Sequence, residues 1–132
     1  MGWWVDFNQN AGERINLDPK VVSGGLNIVT NLPSSSSACS VGGTSNVYQL
    51  DVCTGAAINS GSGINDAGSG ALGIAGTTLS SASAAVGFII IRLPSGALKM
   101  ITTTADGNTI TSGVAPAITL GSRKTGWRRV KN

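Results

Sequence analysis

Histidine is missing from this chain of 132 residues, cysteine occurs only twice, and six acidic residues stand against nine basic ones. Without histidine, the commonest general base and the commonest metal ligand are both gone. Two cysteines with no histidine or further cysteine beside them do not make a zinc site. The acids are spread singly, with no Asp/Glu pair in a recognisable motif, so no enzyme is expected and no catalytic or metal-binding residue is assigned. Long apolar runs are missing as well: the longest, residues 84–91, is far too short to span a bilayer, and no membrane insertion is expected. No basic region followed by an apolar stretch comes after Met1, so a signal for export would lie outside this sequence.

What the chain does contain is nineteen glycines together with abundant Ser, Thr, Val and Ile, and no long run of helix formers. That composition predicts short strands joined by turns, an all-β fold. The length suits one domain at most and falls short of the full ring of blades that a β-propeller needs.

Residues 12–55 organise the rest. Gly24-Gly25 stands between the β-branched runs Val21-Val22 and Ile28-Val29-Thr30, which predicts a hairpin with the glycine pair as its tight turn. Val47 to Val52 predicts another short strand that leaves through a Thr54-Gly55 turn, where turn chemistry accounts for Asp51. Ahead of these, residues 2–7 read as a strand with Trp3, Val5 and Phe7 on one face and Trp4 and Asp6 on the other. Residues 14–17 read as a short strand with Ile15 and Leu17 inward. Residues 32–44, with Pro33, four serines and Gly42-Gly43, form a loop that is either a binding loop or a variable connector.

Residues 59–83 are low in complexity and read as a linker or long surface excursion. Within them, Gly68, Gly70 and Gly73 match the G-x-G-x-x-G pattern by letter. No strand precedes it, no helix pattern follows and no acid lies about twenty residues on, so it is no nucleotide site. From Val86 the strand signal returns: the run Phe88-Ile89-Ile90-Ile91 predicts burial on both faces, followed by a Pro94-Ser95-Gly96 turn and a strand through Ile101. Asp106-Gly107-Asn108 is a type I′ turn signal into Thr109-Ile110-Thr111. Four of the nine basic residues fall between Arg123 and Arg129. They have the charge to meet phosphate or anionic lipid, yet no aromatic interleaving or basic groove accompanies them, so a solvated strand face is expected and no nucleic-acid partner.

Gly2-Trp3-Trp4-Val5-Asp6-Phe7, Gly12-Glu13-Arg14, Asp18-Pro19, Gly24-Gly25, Thr30-Asn31 before Pro33, Cys39 before Gly42-Gly43-Thr44, Leu50-Asp51 and Thr54-Gly55 resemble, in order and approximate spacing, the C-terminal β-propeller region of PilY/PilC-type proteins. The closing Arg123-Lys124-Thr125-Gly126-Trp127-Arg128-Arg129 element resembles the same family; only residues 56–85 have no counterpart in it. Those proteins act in type IV pilus biogenesis and surface adhesion at or near the pilus tip.

The resemblance implies about two blades of a quinoprotein-like propeller: one unit in residues 1–58, a Gly/Ser-rich insertion in 59–85 and a second unit in 86–132. Trp3 and Trp127 would hold matched positions, and Trp4, Gly24, Gly25, Asp51 and Gly55 would be structural. A small stand-alone β-sandwich is the alternative fold. The implied partners are the upstream portion of the same propeller, minor pilins or the tip complex, and a host or abiotic surface. The implied location is exported: pilus tip, cell surface or periplasm. That oxidising setting favours a Cys39–Cys53 bridge, which the residues alone leave open between a disulfide and two thiols. No cofactor is implied in this stretch, and any calcium of the parent protein is expected upstream, because the Asp106-Gly107-Asn108 segment is too short for a calcium loop. The alternatives in function are a structural β module of a fibre or fimbrial assembly and, further off, a fragment of a quinoprotein-like enzyme. Because the resemblance starts inside the propeller domain, Met1 reads as an introduced or internal start. The isolated chain is then expected to self-associate or to need the rest of its parent.

Overall fold

The computed structural model describes residues 2–4, 7, 10–34, 42–58, 76–80 and 83–117, and among them the fold is all-β. The strands are β1 (Lys20–Val22), β2 (Gly25–Pro33), β3 (Gly43–Asp51), β4 (Gly76–Ser80), β5 (Ala85–Arg92), β6 (Leu98–Thr104) and β7 (Thr109–Val114). They form two antiparallel meanders in chain order, a four-stranded sheet β1-β2-β3-β4 and a three-stranded sheet β5-β6-β7.

Turn chemistry sets the registers. Ser23 and Gly24 both take positive φ, 50° and 75°, the pair of left-handed residues that a two-residue type I′ hairpin requires, with Val22 opposite Gly25. The tight turn is therefore one residue earlier than the glycine pair suggested, and Gly25 opens β2. The two loops of the second sheet share a different plan. Gly96 N–H donates to Leu93 O and Leu93 N–H to Ala97 O, both at 2.8 Å; Gly107 N–H donates to Thr104 O and Thr104 N–H to Asn108 O, both at 2.9 Å. In the second loop only Gly107 has positive φ, so this is a type I turn closed by a left-handed glycine and not the expected type I′ turn.

Alternation puts Asn27, Val29 and Asn31 of β2 and Ser45, Val47 and Gln49 of β3 on the face that looks toward the second sheet. Val29 and Val47 pack there with Ala85, Phe88, Leu98, Met100 and Val114, so the two sheets share one core. The opposite face of the first sheet carries Ile28, Tyr48 and Leu50, and Trp3, Phe7, Leu26 and Ala57 pack against these. The N-terminal segment is thus a strap across the back of that sheet.

Four expectations are corrected here. Gly2, Trp3, Trp4 and Phe7 are in no strand: Trp3 and Phe7 lay their rings on the sheet beneath, and Val5 and Asp6 lie outside the described residues. Residues 14–17 supply only the bridge Arg14↔Asn31, and Ile15 is exposed. The low-complexity stretch contributes β4, which pairs with β3 through its backbone and packs Leu79 against the core. Last, β5 is not buried on both faces. It is an edge strand of its sheet, and Ile89 is 55% exposed. A continuous apolar run cannot by itself tell an edge strand from a central one.

Candidate functional site

Most of the residues singled out in the sequence come together at one end of the four-stranded sheet. Gly24 O accepts from Val52 N–H at 2.9 Å, which sets the Ser23-Gly24 turn beside the turn that follows β3. That second turn is held by Asp51: its Oδ1 accepts from Cys53 N–H at 2.8 Å and Thr54 N–H at 2.9 Å. These two backbone donors hold the Asp51 carboxyl below its ordinary range. Gly55, at φ +73°, then sends the chain back along β3, where Ile58 N–H donates to Gln49 O at 2.8 Å. Trp3 closes the assembly. Its indole N–H donates to Val52 O at 2.9 Å, and its ring lies so close to Gly55 that a Cβ there would sit 2.6 Å from Trp3 Cδ2. Trp3, Gly24, Gly25, Asp51 and Gly55 therefore form one interlocked corner. Trp4 takes no part in it and is 74% exposed. Cys53 is exposed on the turn and is a free thiol among the described residues. Cys39 and Trp127 lie outside the described residues, and with them the expected bridge and the matched-tryptophan position.

A second constellation was not foreseen. Glu13, on the strap, accepts through Oε1 from Tyr48 Oη–H at 2.8 Å, from Asn46 Nδ2 at 3.1 Å and from the Thr30 hydroxyl; its Oε2 accepts from Asn10 Nδ2 at 3.1 Å. Burial pushes this carboxyl up, but the donors from Thr30, Asn10, Tyr48 and Asn46 outweigh it, and the net is a lowered pKa. Tyr48 moves the other way: burial first, then its hydrogen bond to the Glu13 carboxylate and the charge of that group, hold its phenol far above the ordinary value. The Phe7 ring meets Tyr48 edge-on with centroids 4.7 Å apart. Strap and sheet are joined by a charged hydrogen-bond hub under an aromatic lid.

The third cluster is made of buried amides. Asn31 faces Ala85 as a neighbouring strand would: its Nδ2 donates to Ala85 O at 2.9 Å, and Ala85 N–H donates to its Oδ1 at 2.8 Å. Gln49 does the same at the far edge, donating to Gly113 O at 3.1 Å and accepting from Ala115 N–H at 3.4 Å. Two side chains of the first sheet thus clamp both edges of the second. The only hint in the sequence is amide residues at inward strand positions.

The bonds these groups make hold turns and segments in place. Asp51 and Asp106 cap turns, Glu13 ties down the strap, and no group of three or more metal-ligating side chains is found among the described residues. No helix of the described residues is long and apolar enough to cross a membrane. Compared with known proteins, the chain matches no family model, no curated protein and no solved structure.

Proposed function

We propose that this chain is a protein-binding β module of an exported surface assembly of the type IV pilus tip class, acting in pilus biogenesis and adhesion by holding partners and carrying out no chemistry. The observation that carries the reading is the corner formed by Trp3, Gly24, Asp51 and Gly55. These residues belong to the sequence resemblance and lie up to 52 positions apart, yet Trp3 packs on Gly55, Gly55 N–H bonds to Asp51 O, and both Trp3 and Gly24 bond to Val52 between them. Their gathering at one corner supports reading the resemblance as a packing motif.

The sheets support the same reading. A four-stranded antiparallel meander in chain order is the make-up of a propeller blade, and the second sheet covers it face to face as a following blade would. The partners are minor pilins or the tip complex, the upstream part of the same propeller, and a host or abiotic surface. The setting, at the pilus tip, cell surface or periplasm, favours a Cys39–Cys53 bridge. The common core of the two sheets also favours a second reading, a self-contained structural module of a fibre.

Deletion of the coding sequence in the organism that carries it tests the first reading. Surface pili or adhesion should fall, and the wild-type chain should restore them while Gly55→Trp should not. Undiminished piliation and adhesion would sink it, and a stable trimer by sedimentation would favour the fibre module.

A further inference from the structure

The edge of β5 is open along its C-terminal half, and the surroundings of that edge say what kind of strand it accepts. The loop bond Leu93 N–H to Ala97 O fixes the phase of the ladder: Ile91 and Ile89 turn their backbone groups toward β6, so those of Phe88, Ile90 and Arg92 point away from it. At the N-terminal end the edge is closed, first by the irregularity between Ala85 and Gly87 and then by Asn31, which takes both backbone groups of Ala85. Among the described residues nothing closes it from Phe88 to Arg92. This stretch holds no proline, glycine or acid, and Ile89 beside it is 55% exposed, so the usual safeguards against strand addition are missing except for Arg92 itself.

Charge decides between the candidate occupants. Arg92 ends the strand and Lys99 stands opposite Ile91. At the other end Lys20 Nζ lies 5.4 Å from the centroid of the Phe88 ring, in a depression shared with Leu17 and Asp18. Among the described residues, three cations thus stand around the edge with one carboxylate. Antiparallel pairing of two copies about Ile90 would set Arg92 of each opposite the other's Phe88 and therefore near its Lys20, bringing like charges together.

We propose that the Phe88–Arg92 edge is a docking site for an extended segment of another protein, one with an apolar β-branched centre and acidic flanks, which adds to the second sheet as a fourth strand. The main-chain groups of Phe88, Ile90 and Arg92 supply the affinity, and Arg92, Lys99 and Lys20 choose the partner. This inference does not depend on the pilus reading.

Fluorescence anisotropy with the full chain tests it, using short synthetic peptides of alternating valine and threonine flanked by glutamates or by lysines. The glutamate-flanked peptide should bind saturably and the lysine-flanked one at least about tenfold more weakly. Arg92→Glu leaves two cations against two carboxylates and should abolish that preference. Arg92→Pro, which removes one outward N–H at an exposed edge position, should weaken the glutamate-flanked peptide by about tenfold. On binding, amide exchange should slow at Phe88, Ile90 and Arg92 and stay as it was at Ile89 and Ile91. Equal binding of both peptides, indifference to Arg92→Glu, or no binding at all would overturn the proposal, as would a dimer of the chain that Arg92→Pro dissolves.

Discussion

Glu13 shows how one side chain sets the pH response of a fold. Its carboxyl is lowered on folding, so the stability it contributes is fully present above the ordinary glutamate value, near pH ~4.3, and is lost as pH falls through the lower folded value. Tyr48 acts with the opposite sign. Its phenol is raised, so its contribution is present below pH ~10 and disappears as the solution becomes more alkaline. Glu13→Gln should therefore flatten the acid limb of a stability–pH curve and cost about 1–2 kcal/mol at neutral pH, the lower range for hydrogen bonds to a half-buried charge. Urea melts at a series of pH values read this directly, and an unchanged acid limb would contradict the hub. Gly55 offers a second residue-scale test. Gly55→Ala places a methyl group in a left-handed backbone and against the Trp3 ring, for an expected loss of about 2–3 kcal/mol with a shift in tryptophan emission.

At the scale of elements, the amide clamps explain how a three-stranded sheet is located on its neighbour. Ala85 is the first residue of β5, and Asn31 gives it the bonds a flanking strand would have given. Asn31→Ala takes the amide donor from the Ala85 carbonyl and leaves the Ala85 N–H to Ser45 Oγ alone, 2.7 Å away, so stability should fall by about 1–3 kcal/mol. With Ser45→Ala added to remove that second acceptor, exchange of the Ala85 amide should quicken ahead of amides in β6, and unaltered exchange there would argue against the clamp. The loop between β2 and β3 carries the other element-scale test. If Cys39 and Cys53 are bridged, the non-reduced chain takes up no thiol label, and reduction lowers stability by about 3 kcal/mol on a chain-entropy account. Two freely labelled thiols would remove both the bridge and the oxidising setting proposed for it.

At the scale of the molecule, the core decides whether two sheets behave as one body. Val29 and Val47 from one sheet and Phe88, Leu98 and Met100 from the other are buried in a single cluster, and Met100 is fully enclosed. Met100→Ala should cost about 2–5 kcal/mol and lower the melting of both sheets together. Two separate transitions by differential scanning calorimetry would mean that the sheets are independent units joined by contact alone. The back of the first sheet depends on the strap, since among the described residues Trp3 and Phe7 join Leu26 and Ala57 over Ile28, Tyr48 and Leu50.

The all-β class, the hairpin after Pro19, the strand through Tyr48 and Leu50, the Asp51 cap and the strands on either side of Pro94 could all be read from the chain alone. Each rests on neighbours within a few residues, on alternation, a proline or a left-handed glycine. What needed the tertiary structure were the relations between distant positions. Glu13 meets Tyr48 across 35 residues, Asn31 meets Ala85 across 54, and Gln49 meets Gly113 across 64. Nothing local marks any of these groups as a partner for another. The same holds for the isoleucine run of β5, which carries the apolar pattern of a central strand and yet stands at an edge. Periodicity reports which side of a strand is apolar, while the number of its neighbours is settled only when the sheets assemble.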